Sequence, residues 1–225
     1  MFDAIAPRYD LLNHLLSAGI DRRWRSAAIK SLNLSGRETL LDVCCGTGDI
    51  GLEARRTPGA QAARVVGVDF SPGMLALGLR KIRTAGEPER ITLIRADAMH
   101  LPVADSSVDA VTIAFGIRNV PHIDAALAQA FRVLRPGGHF LCLEFSHVDV
   151  PGLDRLYELY SFNVIPALGR TVAGDAESYQ YLAESIRLFP QPDVFADMIR
   201  TAGFRRVRFT PMTGGIVALH SGWRL

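Results

Sequence analysis

The sequence predicts an α/β fold: a seven-stranded, mostly parallel sheet that ends in an antiparallel hairpin and carries helices on both faces. Two observations predict it. Short apolar runs alternate with segments of helical spacing, which is the pattern of βαβ units around a parallel sheet. Near the end of the chain, two strand-like runs are joined by a connection too short for a crossover helix, so they must pair antiparallel.

The elements follow one another in a regular order. Strands are predicted at residues 39–45, 64–68, 91–95, 108–115, 139–145, 204–210 and 215–220. Helices are predicted at residues 49–57, 72–84, 123–134 and about 191–202. Ser71 and Pro72 suit a helix start, with serine as the cap and proline in the first turn. Residues 135–138, Arg-Pro-Gly-Gly, are predicted to close the third of these helices and to turn the chain into the next strand.

The length of 225 residues and a hydrophobic content of 48% predict one domain with one sizeable core. Within it, four parts are expected. They are an N-terminal helical lid at 1–36, a cofactor-binding core at 37–150, an acceptor-site insertion rich in aromatic residues at 151–190, and a final helix with the antiparallel hairpin at 191–225.

The composition excludes several classes of function. The 25 basic and 23 acidic residues nearly cancel and the arginines are scattered, so we expect no nucleic-acid partner. Cys44 and Cys45 are adjacent and the six histidines lack ligand spacing, which predicts buried thiols in a reducing compartment and no metal site. The chain shows no signal peptide, and no apolar run reaches the roughly 18 residues of a membrane span. We therefore expect a cytoplasmic protein.

The strongest local motif is D-V-C-C-G-T-G-D-I-G at residues 42–51. Gly46, Gly48 and Gly51 follow a strand and precede a helix, where glycine permits a sharp turn and the close approach of a ligand. Asp69 ends the second strand, where a carboxylate can accept both hydroxyls of a ribose. Taken alone, these features also fit a nicotinamide dehydrogenase.

Three features favour S-adenosylmethionine over a dinucleotide. Asp42 lies inside the first strand, and a carboxylate there suits a ligand with positive charge and disfavours a pyrophosphate. Asp97 ends the third strand and can accept the adenine amino group, while Ala98 leaves room for the ring. The sheet also ends in a hairpin where a dinucleotide fold would repeat its parallel half. The alternative roles are loop ordering for Asp42 and helix capping for Asp69 and Asp97.

The sequence resembles the ubiquinone/menaquinone biosynthesis C-methyltransferase family over nearly its whole length. The narrow motifs are the opening M-F-D-A-I-A-P-R-Y-D-L-L-N, F-G-I-R-N-V after the fourth strand, and Y-Q-Y-L-A-E-S-I. The glycine motif and R-V-L-R-P-G-G recur in many methyltransferases. The resemblance implies a Rossmann-like class I methyltransferase fold and S-adenosylmethionine as the cofactor. It implies a prenylated quinol as the substrate, with demethylmenaquinol expected first and the ubiquinone precursor as the alternative.

The resemblance also implies cofactor contacts. They are expected at Thr47, Asp69, Asp97 and Ala98, in addition to Asp42, Gly46 and Gly48 of the glycine motif and Phe70 next to Asp69. Relatives often carry serine one residue before the phenylalanine of F-G-I-R-N-V, and here that position is Ala114. Any cofactor hydrogen bond at Ala114 must therefore come from its backbone.

Catalysis is expected at Arg118, Asn119 and Tyr9. A quinol carbon becomes nucleophilic when a neighbouring hydroxyl loses its proton, so Arg118 could stabilise the phenolate and Asn119 could orient a hydroxyl. Arginine is itself a poor base. The alternative for Arg118 is a surface ion pair with Asp124 or Asp105. Tyr9 is expected in the lid, with core packing as its alternative.

Further candidates and rival functions remain open. His122 could serve as a base, and Glu144 could be a buried acid or a structural hydrogen-bonding group. The rival functions are a nicotinamide-dependent oxidoreductase and an inactive methyltransferase-like binding protein. The prenyl tail of the substrate would bring the protein to the inner face of the membrane, and a homodimer is left open.

Overall fold

The computed structural model describes residues 19–61, 63–146, 181 and 184–225. The strands are β1 Thr39–Val43, β2 Arg64–Asp69, β3 Ile91–Arg95, β4 Val108–Ala114, β5 Leu134–Phe145, β6 Arg205–Met212 and β7 Val217–Trp223. The helices are α1 Asp21–Leu32, α2 Asp49–Arg56, α3 Pro72–Thr84, α4 Ile123–Val133 and α5 Pro192–Thr201. Two 3₁₀ turns lie at Ile117–Asn119 and Thr213–Gly215.

The strands form one seven-stranded sheet in the order β3-β2-β1-β4-β5-β7-β6. Strands β1 to β5 pair parallel, and β7 pairs antiparallel with both β5 and β6. The predicted fold class is confirmed. From β1 the chain builds outward to β3 and then returns to place β4 on the other side of β1. The carboxyl ends of β1 and β4 therefore flank the switch point at which α/β sheets bind ligands.

The alternation of side chains along each strand divides the core between the two faces of the sheet. Leu41 and Val43 of β1 pack with residues of α4 and α5, whereas Leu40 packs with residues of α1, α2 and α3. Helix α1 lies within the expected lid segment 1–36, and its Trp24 and Ala28 are buried against the sheet. The predicted cap at Ser71 is confirmed, because its Oγ accepts the backbone N–H of Met74 at 3.2 Å.

Strand β5 begins five residues earlier than the predicted 139–145, at Leu134 rather than His139. The Arg-Pro-Gly-Gly segment belongs to the first part of β5, where the pairing with β4 contains a bulge. Val108 pairs with Leu134, whereas Ala110 pairs with His139. Backbone hydrogen bonds to Arg224 hold this start, since Gly137 N–H donates to its carbonyl and its own N–H donates to the Gly138 carbonyl. The hydrogen bonds to Arg224, which follows β7, thus hold this segment as a strand although its local sequence predicts a turn.

In the part of the chain that the structure describes, no helix combines the length and the apolar character that crossing a bilayer requires.

Candidate active site

The turns that follow β1 and β4 meet in strained backbone conformations. Cys44 follows β1 with φ of 57°, and Phe115 follows β4 with φ of 58°. This left-handed region costs a non-glycine residue about 1 kcal/mol or more, and such strain concentrates at functional sites. A Cβ on Gly116 would overlap the Cβ of Cys44. Glycine at that position therefore allows the two turns to approach each other.

A cavity of about 400 Å³ opens at this edge of the sheet. Six of the residues predicted for the site line it: Gly46, Asp69, Phe70, Asp97, Ala98 and Asn119. Sequence reasoning missed Cys44, Phe115 and Gly116 as lining residues. Gly116, directly after the predicted strand 108–115, was a signal that could have indicated this wall. The left-handed conformation of Phe115 could not be predicted from the sequence.

Asp69 organises the glycine loop from the end of β2. Its Oδ2 accepts the backbone N–H of Gly46 at 2.8 Å, and its Oδ1 accepts the backbone N–H of Ser71 at 2.9 Å. The capping alternative for Asp69 is thus partly realised, although Ser71 is the residue that caps α3. A carboxylate offers about four acceptor positions, so two backbone donors are compatible with ribose hydroxyls as further donors.

The segments that follow β2 and β3 form another part of the cavity wall. The ring of Phe70 is 69% exposed and lies 5.8 Å from the guanidinium carbon of Arg95, which also donates from Nε to the Phe70 carbonyl at 3.3 Å. Asp97 Oδ1 accepts the N–H of Met99 at 2.9 Å and so fixes the turn that contains Ala98. An aromatic face, a carboxylate and a small residue therefore lie along one wall.

Asp42 lies beneath the glycine loop and does not line the cavity. Its side chain is 2% exposed, and Oδ1 accepts the hydroxyl of Thr112 at 2.8 Å. Burial raises the pKa of Asp42 to about 7, and the negative charge of Asp69 adds to this effect against the Thr112 hydrogen bond and the charge of Arg25. A cationic ligand near the loop would favour the ionised carboxylate.

Thr47, Gly48 and Ala114 also lie outside the cavity lining. The hydroxyl of Thr47 is buried and accepts from Lys81 Nζ at 2.9 Å. Gly48 has φ of 80° and precedes the first residue of α2, so its contribution is the shape of the turn. Ala114 is the last residue of β4, and its side chain packs toward the α1 face.

Arg118 is buried, with its side chain 7% exposed, and it pairs with Glu144 rather than with Asp124 or Asp105. Its Nη1 donates to Glu144 Oε1 at 2.8 Å and to the Phe115 carbonyl at 2.5 Å. Burial raises the pKa of Glu144, and the Arg118 charge opposes this effect. Asp105 Oδ1 instead accepts from Arg132 Nη1 at 2.5 Å. Arg118 and Glu144 are 26 residues apart in the sequence, so local spacing could not reveal that they pair.

Asn119 presents an unsatisfied acceptor next to the cavity. Its Oδ1 is buried and has no hydrogen-bond partner among the described residues. Asp69 and the mostly apolar wall around it suit a ligand that combines hydroxyl donors with an aromatic ring.

Some predicted residues lie outside the described part of the chain. Tyr9 and most of the insertion at 151–190 are among these residues, so the lid and the acceptor-site roles stay predictions. Within the described ranges, no group of three or more histidine, cysteine or acidic side chains could hold a metal ion.

Comparison with known proteins identifies the family. The profile of the ubiE/COQ5 methyltransferase family matches residues 1–224. A protein of Nitrobacter hamburgensis named ubiquinone/menaquinone biosynthesis C-methyltransferase UbiE is 56% identical, over 100% of this chain and 90% of its own length. A protein of the same name from Bradyrhizobium sp. strain BTAi1 is 54% identical with the same coverage.

Solved structures support the fold. An S-adenosylmethionine-dependent methyltransferase of Thermotoga maritima superposes with a TM-score of 0.70 at 17% identity, over 100% of this chain and 98% of that one. The phosphoethanolamine N-methyltransferase 2 of Haemonchus contortus, in complex with S-adenosyl-L-methionine, gives 0.65 at 15% identity, over 89% and 52% of the two chains. The chain belongs to the ubiE/COQ5 methyltransferase family and is an S-adenosylmethionine-dependent methyltransferase.

Proposed function

We propose that the protein methylates a ring carbon of a prenylated quinol, converting demethylmenaquinol to menaquinol. The observation that carries this proposal is the name shared by relatives above 50% identity that match the whole chain, ubiquinone/menaquinone biosynthesis C-methyltransferase. That name covers two routes, and the equivalent C-methylation in ubiquinone biosynthesis is therefore the second candidate.

The position of each residue in or under the cavity wall supports a particular contact with the cofactor. Asp69 accepts the ribose hydroxyls, and Phe70 packs on the face of the adenine. Asp97 accepts the adenine amino group, and Ala98 leaves room for the ring. Asp42, Thr47 and Gly48 act from beneath, by shaping the loop that carries Gly46, and Ala114 acts through its backbone. All of these assignments rest on position in the wall or under it.

When bound, S-adenosylmethionine supplies an electrophilic methyl group on a sulfonium. The protein must hold the quinol carbon in line with that group and stabilise negative charge on the ring oxygen. Asn119, in the cavity wall, orients a quinol hydroxyl and with it the ring. Arg118 supplies positive charge near the developing phenolate, directly or through a water molecule. Tyr9 completes the site from the lid.

The remaining parts of the chain control the access of substrate and water to the site, and the substrate determines where the protein acts. The lid at 1–36 and the insertion at 151–190 enclose the acceptor and exclude water. The prenyl tail brings the protein to the inner face of the membrane as a peripheral contact, and a homodimer is compatible with this arrangement.

The proposal is tested by single-turnover transfer of a labelled methyl group to short-tailed demethylmenaquinol under reducing conditions. The quinol should be methylated and the oxidised quinone should not, because the quinone has no hydroxyl to ionise. Arg118→Ala should lower this rate at least about tenfold while S-adenosylhomocysteine still binds, since its effect falls on the transition state. Equal rates for quinol and quinone would contradict the phenolate mechanism, and transfer to the ubiquinone precursor alone would favour the second candidate.

A further inference from the structure

Glu144 is a buried acidic residue that has no part in the proposed methyl transfer. Its side chain is fully buried at the end of β5, and it lies on the same face of the sheet as Cys142, which packs in the core. Oε1 accepts from Arg118 Nη1 at 2.8 Å and from the backbone N–H of Phe145 at 2.8 Å. Oε2 is buried and has no hydrogen-bond partner among the described residues.

We propose that Glu144 is a positioning residue for methyl transfer, which holds the guanidinium of Arg118 and, through it, the strained turn at Phe115 in the cavity wall. The inference rests on the proposed role of Arg118 beside the acceptor. Glu144 itself does not line the cavity, so it acts through these neighbours and not on the substrate.

The hydrogen bonds fix the guanidinium from three sides. Nη1 is shared by Glu144 Oε1 and the Phe115 carbonyl, Nε donates to Ser185 Oγ at 3.3 Å, and the guanidinium carbon lies 5.3 Å from the centre of the Phe145 ring. Nη2 has no acceptor within the described residues. The described residues therefore hold the guanidinium through Nη1, Nε and its face.

The same contacts constrain the wall. Phe115 has φ of 58°, its N–H donates to the Leu143 carbonyl at 2.8 Å, and its carbonyl points to Arg118. Phe115 lines the cavity, and the centre of its ring lies 4.9 Å from that of Phe145. A bulky residue stays in this conformation only where its surroundings over-determine it. The Arg118 hydrogen bond to the Phe115 carbonyl is one such restraint, and Glu144 fixes the donor.

The reach of the Glu144 side chain, and not its charge, is what positioning requires. Glu144→Gln can keep an oxygen acceptor for both Nη1 and the Phe145 N–H, and it places its amide nitrogen where Oε2 has no partner. Glu144→Asp keeps the charge but is one methylene shorter, so it either releases Nη1 or draws the guanidinium away from the Phe115 carbonyl. The two variants therefore separate orientation from charge.

The test is single-turnover methyl transfer, measured together with S-adenosylhomocysteine affinity by calorimetry. Glu144→Gln should stay within about threefold of the wild-type rate, and Glu144→Asp should fall at least about tenfold, with cofactor affinity changed less than about threefold in both. The matched control is Asp105→Asn, which removes a carboxylate from the Arg132 pair that precedes β4, and its rate should equal that of the wild type.

A second readout does not depend on activity. Amide hydrogen exchange at residues 115–120 should be faster in Glu144→Asp than in the wild type and unchanged in Asp105→Asn. A Glu144→Asp variant with full rate and unchanged exchange overturns the inference, as does a Glu144→Gln variant as slow as Glu144→Asp. If the wild type methylates no quinol, the proposed function fails, while the exchange comparison still decides whether Glu144 holds this turn.

Discussion

At the scale of single residues, Asp69 shows how one carboxylate can order a loop and face a ligand at once. Both of its oxygens already accept backbone N–H groups, from Gly46 and from Ser71. Its removal therefore has two effects on cofactor binding: the hydrogen bonds to the ribose are lost, and the glycine loop loses its anchor. Both effects lower affinity, so the position is sensitive.

We expect Asp69→Ala to weaken S-adenosylhomocysteine binding by about 2–3 kcal/mol, because hydrogen bonds to a charged acceptor are lost. Calorimetric titration measures it. The control is Asp109→Asn, whose carboxylate also accepts a backbone N–H, from Thr39 at 2.8 Å, but at the opposite end of the sheet. That variant should bind normally. Unchanged affinity in Asp69→Ala would leave the residue with loop ordering alone.

His220 makes a second prediction at this scale, for the pH dependence of stability. Its ring is 1% exposed, and Nε2–H of the neutral ring donates to the Pro192 carbonyl at 2.9 Å. Burial lowers the pKa of His220 to about 4, against about 6.5 in an unfolded chain. Between these values the unfolded chain binds a proton that the folded protein does not. The stabilisation is therefore complete above about pH 6.5 and is lost as the pH falls toward 4.

The free energy of unfolding of the wild type, minus that of His220→Gln, should rise by about 1 kcal/mol from pH 5 to pH 6. Taking the difference removes the opposite contribution of Asp42, whose raised pKa of about 7 favours the folded state at low pH. Urea titration at both pH values measures it. A flat difference for His220→Gln would mean that its ring is solvated in the folded state.

At the scale of elements, the turns after β1 and β4 decide the shape of the site. Strand positions and the order of helices could be predicted because apolar periodicity is local in sequence. The Arg118–Glu144 pair, the contact of Gly116 with Cys44 and the bulged start of β5 could not, because each depends on a partner brought in by the sheet. The same limit explains why Thr47 and Ala114 were expected as direct contacts and lie outside the cavity lining.

The packing of these two turns is tested by a double-mutant cycle. Gly116→Ala should destabilise the protein by about 1–3 kcal/mol, since its Cβ would overlap that of Cys44. Cys44→Gly in the same chain should recover at least about 1 kcal/mol of that loss, because it removes the overlapping atom and glycine accepts φ of 57° at little cost. Urea unfolding of the four proteins gives the coupling. Strict additivity would show that the turns do not touch.

At the scale of the whole molecule, the sheet order brings together residues that are distant in sequence. Asp69 ends β2, while Gly46, Asp97 and Asn119 come after β1, β3 and β4. All four reach one cavity because the carboxyl ends of those strands share an edge. This convergence could be predicted from the sequence, since the parallel topology implies it. That Asn119 Oδ1 has no partner among the described residues could not be predicted, because it depends on which neighbours the fold leaves out of reach.

The most direct measurement of the central claim is the position of the transferred methyl group. The protein would be incubated with S-adenosylmethionine carrying a ¹³C-labelled methyl and short-tailed demethylmenaquinol, and the product examined by ¹³C NMR after extraction. We expect a single labelled methyl bonded to a ring carbon, and no labelled product when the quinone is kept oxidised. A labelled methoxy carbon, or no transfer to any prenylated quinol while S-adenosylmethionine binds, would contradict it.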